Sequence, residues 1–350
     1  MPHTLVDNRT PYAFEALQLV DEQAVAQCVT CVQATFLIHP EGLIPLAKQR
    51  PVKVGGEWRG DPAETSMVME PQVAFIKQGT DVVLHGHAHA PEPGATESMI
   101  GIRVGPLQKT ARVFGERRHT GIPGLRGISP PLPFERIPII PERAFGGWDR
   151  RDPDPNRHAC EPRNPVGRGF YTAVPEGDDT WLPNFEDPQD LITSWSDRPQ
   201  PACFGFIGPE WHPRLAYGGT YNEAWSKSRK PLLPTDFDRR FFNAGSPGLV
   251  SPKPLRGDEE VVVMGCSPQR QRVAFRLPEP EAPVCVVELR GRKRVPLRTT
   301  LDTVIVDMDS HLLTLLWRAC LPVRNGLHDV VAIGVWQGAH ARDAAASMAA

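Results

Sequence analysis

The sequence lacks the long apolar stretches and the charge imbalance that mark several large classes of protein. No run approaches the roughly 18 apolar residues that a membrane-spanning helix needs. The first residues show no basic segment followed by an apolar one, the pattern of a secretory signal. The formal net charge is −2, which gives no electrostatic reason to expect a nucleic acid or a membrane as partner. These absences predict a cytoplasmic protein that binds neither.

The common sequence motifs of catalysis are also missing. There is no G-x-S-x-G motif, no glycine-rich P-loop and no dinucleotide-binding fingerprint. The chain has 7 cysteines, an odd number, and without a secretory signal they are expected to be reduced thiols. Cys28 and Cys31 have the spacing of a redox motif, but residues three apart on a strand point to opposite faces. The sequence therefore offers no motif for nucleophilic, nucleotide-dependent or thiol redox catalysis.

Proline, in contrast, is abundant and shapes the predicted fold. The chain contains 38 prolines, about twice the usual share. Because proline interrupts helices and is tolerated in strands only at edges and bulges, long helices are not expected. We predict a mainly β protein with two sandwich- or barrel-like units, joined and covered by a long Pro/Gly-rich ordered coil that includes a few short helices.

The predicted organisation has four parts. An N-terminal β unit covers residues 1–119, and the Pro/Gly-rich coil covers residues 120–254. A C-terminal β unit covers residues 255–336, and a disordered tail covers residues 337–350, which lack core-forming side chains.

Strand patterns are clearest in the first and last thirds of the chain. Gln27–His39 is rich in β-branched and apolar residues. Two strands are predicted around the turn Gln78–Asp81, and a hairpin is predicted around Gly105–Pro106. The last third contains six short apolar runs at fairly even spacing, typical of a sandwich or barrel: EEVVVMGC, QRVAFRLP, VCVVELRG, TLDTVIVDMD, HLLTLLWRACLP and DVVAIGVW.

The middle third is predicted to be ordered although it lacks regular periodicity. It is rich in Trp and Phe, which a disordered linker would not be. Two short helices are expected within it. One starts at Asp187, which precedes a proline at the first helical position. The other has Thr220 as its cap with Glu223 three residues later, the spacing of a capping box.

One short stretch, LHGHAHAPE (Leu84–Glu92), has the residue types of a metal site. His85, His87 and His89 are two residues apart, so all three would project from one face of a strand. His85, His87 and Glu92 also fall at the intervals of the first half of a cupin metal-binding motif. A metal-dependent, cupin-like enzyme is therefore the alternative hypothesis.

Three features favour a plain strand over a metal site. The closing glycine of the cupin motif is replaced by Met99, Pro91 interrupts the strand just before Glu92, and the second half of the motif has no counterpart. We therefore expect no metal and no cofactor. The expected arrangement is a strand with Val82 and Leu84 on its buried face and the histidines in solvent.

The coil carries the residue types that are enriched at protein interfaces. Aromatic and guanidinium groups stand on Gly/Pro-shaped loops in FGGWD, NPVGRGF and WHPRLAYGGTY. The residues predicted to bind a partner are Trp148, Arg168, Phe170, Trp211, Arg214 and Tyr221. Two alternatives remain open: the same aromatics attach the coil to the sheets, or exposed Trp residues stack on sugars in a carbohydrate-binding β-sandwich.

A long succession of motifs resembles one protein family. In chain order they include NRTPYAFEAL, QATFLI, FIKQGTDVVLHGHAHAP, VGPLQKTARVFGER, PPLPFERIPI, ERAFGGWD, NPVGRGF, LPNFEDP, WHPRLAYGGTYNEAW, PLLPTDFDRRFFNAGSP and LDTVIVDMD. They resemble the uncharacterised-domain family of type VI secretion accessory proteins, which are encoded beside spike and PAAR-repeat tip proteins in bacteria. The resemblance extends from about Asn8 to Pro322.

The resemblance implies a non-enzymatic adaptor or chaperone in the bacterial cytoplasm. Such a protein would bind a PAAR-repeat tip protein, an effector toxin or the spike protein, and help to load the effector before secretion. It implies no catalytic residues in this chain.

Overall fold

The computed structural model shows a mainly β protein, as the sequence predicts. It describes residues 4–122, 125–177, 180–278, 282–291, 293–323 and 326–338. The tail predicted for residues 337–350 lies outside the described residues from position 339 onward.

Long strands occupy the two ends of the chain and short elements occupy the middle. Before residue 130 the strands are β1 (Leu5–Asn8), β2 (Ala13–Val20), β3 (Ala26–His39), β4 (Gly42–Pro45), β5 (Glu57–Trp58), β6 (Met67–Met69), β7 (Asp81–His85), β8 (His87–His89), β9 (Glu97–Val104), β10 (Leu107–Phe114), β11 (His119–Ile122) and β12 (Leu125–Ile128). From residue 130 to 258 they are β13 (Arg136–Pro138), β14 (Phe145–Gly146), β15 (Trp148–Asp149), β16 (Ala159–Cys160), β17 (Arg168–Gly169) and β18 (Phe185–Glu186), with the helices α1 (Arg214–Tyr217) and α2 (Glu223–Ser228).

The last third contains β19 (Glu260–Met264), β20 (Arg272–Arg276), β21 (Val284–Leu289), β22 (Lys293–Arg298), β23 (Thr300–Asp307), β24 (Leu312–Pro322) and β25 (Val330–Trp336). Short 3₁₀ turns span Pro141–Arg143, Pro155–Arg157, Arg239–Phe242 and Leu327–Asp329. The six runs expected in the last third all form strands, and the hairpin expected at Gly105–Pro106 is β9–β10.

Three larger sheets organise the molecule. The strand orders are β2-β3-β24-β23-β7 with β4 beside β3, β18-β10-β9-β19-β20, and β1-β25-β21-β22. Among the described residues no sheet closes on itself. Strands from before residue 119 and from after residue 255 hydrogen-bond to each other in all three sheets. The four-part division given above stays a prediction, but these pairings tie the two ends of the chain together.

The sheet that contains β3 is covered on both faces. On one face, Ala34, Leu84 and Val306 pack against core residues of the β9–β10 sheet, such as Ile102 and Val113. Near one end of β3 the same face meets the β21–β25 sheet. The opposite face packs against coil, with aromatic and apolar contacts that include Val83 with Phe206 and Val29 with Phe75. The coil is thus one layer of the fold.

Two local predictions are wrong, one before the coil and one within it. Gln72–Lys77, expected to be a strand before the turn at Gln78, is not in a strand. The helix expected at Asp187 is replaced by a turn that links Asp187 and Asp190. The reason is that Glu186 lies in β18, and its carboxylate accepts a hydrogen bond from the Ile192 backbone N–H at 2.8 Å, which fixes the next residues in a non-helical path.

The second predicted helix exists, but its cap differs. The helix is α2, and the side chain of Asn222 accepts the capping hydrogen bond from the Trp225 backbone N–H at 2.9 Å. Thr220 binds Asp236 instead.

Candidate partner-binding surface

The three histidines do not share one face. β7 pairs with β23 and ends at His85. The next residue, Gly86, adopts φ +134°, and the chain then continues as β8, which pairs with β13 in a different sheet. His85 lies on the same face of β7 as Val83, with its ring 6.2 Å from that of Phe206 in the coil. The expectation that this face is open to solvent is therefore wrong, because the coil covers it.

The three histidines differ in their burial and in the charged groups beside them. Burial, with a contribution from Arg59, lowers the pKa of His85 from 6.5 to about 4, and its buried Nε2 atom has no hydrogen-bond partner among the described residues. His87 Nδ1 lies 2.7 Å from Asp309 Oδ2. Glu92 lies in an exposed turn after β8. Within the described part of the chain no three His, Cys, Asp or Glu side chains are grouped so that they could hold a metal ion.

All seven cysteines fall within the described residues, and all are free. Cys28 and Cys31 belong to different core clusters on opposite faces of β3. Burial raises the pKa of Cys28 to about 12 and that of Cys31 to about 11, so both are protonated thiols at neutral pH. The two cysteines of CVTC are therefore buried core side chains of a strand, and their thiols are protonated.

A network of buried charges lies between the β3 sheet and the coil. The Lys77 ammonium forms an ion pair with Glu70 and another with Asp81 at 2.7 Å. Burial alone would lower the pKa of Lys77, but the two carboxylates outweigh it and raise that pKa. Arg318 Nε lies 2.5 Å from Asp302 Oδ2, and both side chains are at most 1% exposed.

The coil contributes directly to this network. The Asp81 carboxylate accepts hydrogen bonds from the Asn243 side chain at 2.8 Å and from the Ala244 backbone at 2.9 Å. Arg214 lies 3.7 Å from Glu70. Sequence patterns did not reveal this network, because its members are far apart in the chain. Lys77, for example, donates a hydrogen bond to Thr303, which lies 226 residues later.

Of the six residues predicted to bind a partner, two are buried and two are half-buried. Trp211 is 7% exposed and Arg214 is 6% exposed. Phe170 packs against the cluster of Phe145, Leu182 and Ile192. Arg168 donates to Glu116 at 2.8 Å and to Asn184 at 2.6 Å. These contacts connect segments of the coil, and the partner-binding role of the four residues stays a prediction.

Trp148 and Tyr221 are exposed, at 46% and 56%. The Trp148 ring is covered on one side by the Arg150 guanidinium, 5.1 Å from the ring centre. Tyr221 stands in the same segment as the exposed Leu215 and several half-buried aromatic residues, and that segment is the better candidate surface.

We call residues 208–243 the aromatic lobe. It contains α1, α2 and the 3₁₀ turn Arg239–Phe242. Leu215 on α1 is 50% exposed. The Tyr221 ring packs edge-on against Trp225, with 4.7 Å between ring centres, and the Trp225 indole N–H donates to the Leu232 carbonyl at 2.8 Å. The exposed tyrosine is thus packed against a ring that is itself anchored by a hydrogen bond.

Two arginines connect the aromatic lobe to the rest of the protein, Arg214, which is buried, and Arg239, which is partly exposed. Arg214 donates to the carbonyls of Ile207 at 2.7 Å and Phe241 at 3.0 Å, and its guanidinium lies 5.1 Å from the Phe241 ring centre. Arg239 binds the Glu22 carboxylate at 3.0 Å, in the turn between β2 and β3. These contacts make the lobe a fixed surface rather than a loose loop.

A pocket of about 360 Å³ lies at the base of the aromatic lobe. Its wall is mostly apolar and includes Pro213, Tyr217, Val250 and Pro252. The Arg240 guanidinium, 4.3 Å from the Tyr217 ring centre, stands at the same pocket and pairs with Asp238. A pocket of this lining fits an apolar side chain beside a hydrogen-bond acceptor.

None of the helices in the described part of the chain has the length and apolar character required to cross a membrane.

Residues 23–318 match the profile of one protein family, which is described as "Uncharacterized protein conserved in bacteria (DUF2169)". No curated protein matches the chain, and no solved structure matches it.

Proposed function

This chain belongs to the DUF2169 family of proteins conserved in bacteria, and we propose that it is a non-enzymatic adaptor of type VI secretion. In this proposal it binds a PAAR-type tip protein or an effector in the cytoplasm and helps to load it onto the spike. The type VI assignment is supported by the succession of sequence motifs described above. The binding role is supported by the aromatic lobe.

The observation that carries the binding role is the exposure of Leu215 and Tyr221 on a fixed lobe. Binding costs free energy when side chains and loops must be ordered, and a preformed surface avoids part of that cost. Tyr and Trp beside arginines are the residues most often found at interface hot spots. The pocket beside Tyr217 would receive an apolar side chain of the partner.

The experiment is affinity purification of the tagged chain from its native bacterium, followed by identification of the proteins that remain bound. The proposal expects a PAAR-repeat protein or an effector encoded near this chain. Recovery of neither protein, together with unchanged effector loading after deletion of the gene, would refute it.

A matched pair of variants connects the partner to the aromatic lobe. The lobe variant is Leu215→Ser with Tyr221→Ser. The control is Met99→Ser with Met264→Ser, which removes two exposed apolar side chains, 48% and 37% exposed, from the β9–β19 sheet. The lobe variant should lose the partner and the control should keep it.

A further inference from the structure

A second pocket, on the β10 side of the molecule, has a lysine in its wall. It has a volume of about 270 Å³, at the small end of ligand-binding cavities. The polar residues that line it are Gln108, Lys109, Thr110, Asp187, Gln189 and Gln200.

Lys109 occupies an inward position on its strand. Side chains alternate along a strand, so Lys109 shares a face of β10 with Ala111 and Val113, both fully buried in the main core. Its ammonium lies 5.6 Å from the centre of the buried Phe204 ring. It donates one hydrogen bond, to the Pro247 carbonyl at 2.7 Å.

An ammonium group has three N–H donors, and burial without acceptors is costly. The hydrogen bond to Pro247 is the only one that Lys109 Nζ makes to the described residues. Burial lowers the pKa of Lys109 from 10.5 to about 8, with smaller opposing effects from Cys203 and Asp187. The thiol of Cys203 is itself protonated, because burial raises its pKa to about 12. Two of the three N–H donors of the Lys109 ammonium therefore have no acceptor among the described residues.

We infer that this pocket binds a small monocarboxylate, whose oxygens accept hydrogen bonds from the Lys109 ammonium. The side-chain amide of Gln189 makes no hydrogen bond to the described part of the protein, so it is free to bind the ligand. Asp187 at the wall repels a second carboxylate and attracts an N–H or O–H group of the ligand. The ligand class is thus a hydroxy acid, or the terminal residue of a peptide chain.

This inference does not depend on the adaptor role. Its test uses the full chain labelled with ¹³C-lysine, in which the NMR signal of Lys109 is assigned with Lys109→Arg. The probes are lactate for a free hydroxy acid, N-acetylglycine for a chain terminus, and N-acetylglycinamide as the matched molecule without a carboxylate. Saturable movement of the Lys109 signal by lactate or by N-acetylglycine supports the site, and the tighter of the two identifies the source of the carboxylate.

Two further measurements check the mechanism. Affinity should fall about tenfold between pH 7 and pH 9, because the ammonium loses its proton above a pKa of about 8. Gln189→Ala changes an exposed residue at the pocket, so the variant should fold normally and bind the carboxylate more weakly. The inference is overturned if neither carboxylate moves the Lys109 signal at millimolar concentration, or if N-acetylglycinamide binds as well as N-acetylglycine.

Discussion

At the scale of single residues, contact with the coil sets the burial and the pKa of His85. The side chain would be a solvent-exposed histidine if β7 stood at a surface, but the coil encloses it beside Phe206 and lowers its pKa to about 4. In the unfolded chain a histidine takes up a proton near pH 6.5. Between pH 6.5 and pH 4 the unfolded state binds more protons than the folded state does. Acidification therefore lowers the free energy of unfolding.

We expect His85→Leu to reduce the loss of stability on acidification. Full protonation of the unfolded histidine lowers the free energy of unfolding by about 3 kcal/mol between pH 6.5 and pH 4. Urea unfolding across this pH range measures the loss, with His39→Gln as the control because His39 is exposed. Identical pH dependence of wild type and His85→Leu would contradict the assignment.

The buried pair of Arg318 and Asp302 leads to a second prediction. Removal of one partner leaves an uncompensated charge in the core, so Arg318→Met should lower the free energy of unfolding by about 3–5 kcal/mol. The double variant with Asp302→Asn removes that charge and should recover part of the loss. Equal destabilisation of the single and double variants in urea would show that charge is not the cause.

At the scale of elements, the aromatic lobe depends on contacts between its own segments. The Asp236 carboxylate accepts hydrogen bonds from the Thr220 backbone N–H at 3.0 Å and from its hydroxyl at 2.7 Å, and these bonds lower the pKa of Asp236. They fix the segment between α1 and α2 that presents Tyr221.

We expect Asp236→Ala to loosen this segment without unfolding the protein. Chymotrypsin should cleave after Tyr221 several-fold faster than in wild type, because a protease acts on a chain that can leave the surface. Glu223→Ala is the matched control. It removes an exposed ion pair with Lys227 in the same lobe, and such pairs contribute little. Equal cleavage rates in all three proteins would exclude the role of Asp236.

The elements also show what sequence can and cannot predict here. The β9–β10 hairpin and the last six runs follow from composition and turn residues, which act locally. On β7, the polar residues Asp81 and His85 alternate with apolar residues, a pattern typical of a strand with one solvent-exposed face. That face is covered only because the coil, which is distant in sequence, packs on it. The positions of Trp211 and Arg214 could not be predicted for the same reason: aromatic and arginine side chains suit both an interface and a coil fastened to a core.

At the scale of the whole molecule, the two ends of the chain complete each other's sheets. β3 pairs with β24 over eleven positions from Leu37 to Gln27, and β7 pairs with β23. A chain that ends at residue 254 lacks these partners, and its central sheet would expose apolar edges and faces.

We therefore expect a fragment of residues 1–254 to be unfolded or aggregated, and separate expression of the remainder to fail in the same way. Near-ultraviolet circular dichroism and a urea titration measure this. A cooperative unfolding transition of the isolated fragment would show that the ends fold independently.

The central claim is that the aromatic lobe binds a secretion partner. Its most direct test is the dissociation constant of the co-purified PAAR-type protein or effector, measured with wild type, with Leu215→Ser/Tyr221→Ser and with Met99→Ser/Met264→Ser. The proposed role predicts a loss of about 2 kcal/mol or more, roughly thirtyfold, for the lobe variant alone. Unchanged affinity of a folded lobe variant would contradict it.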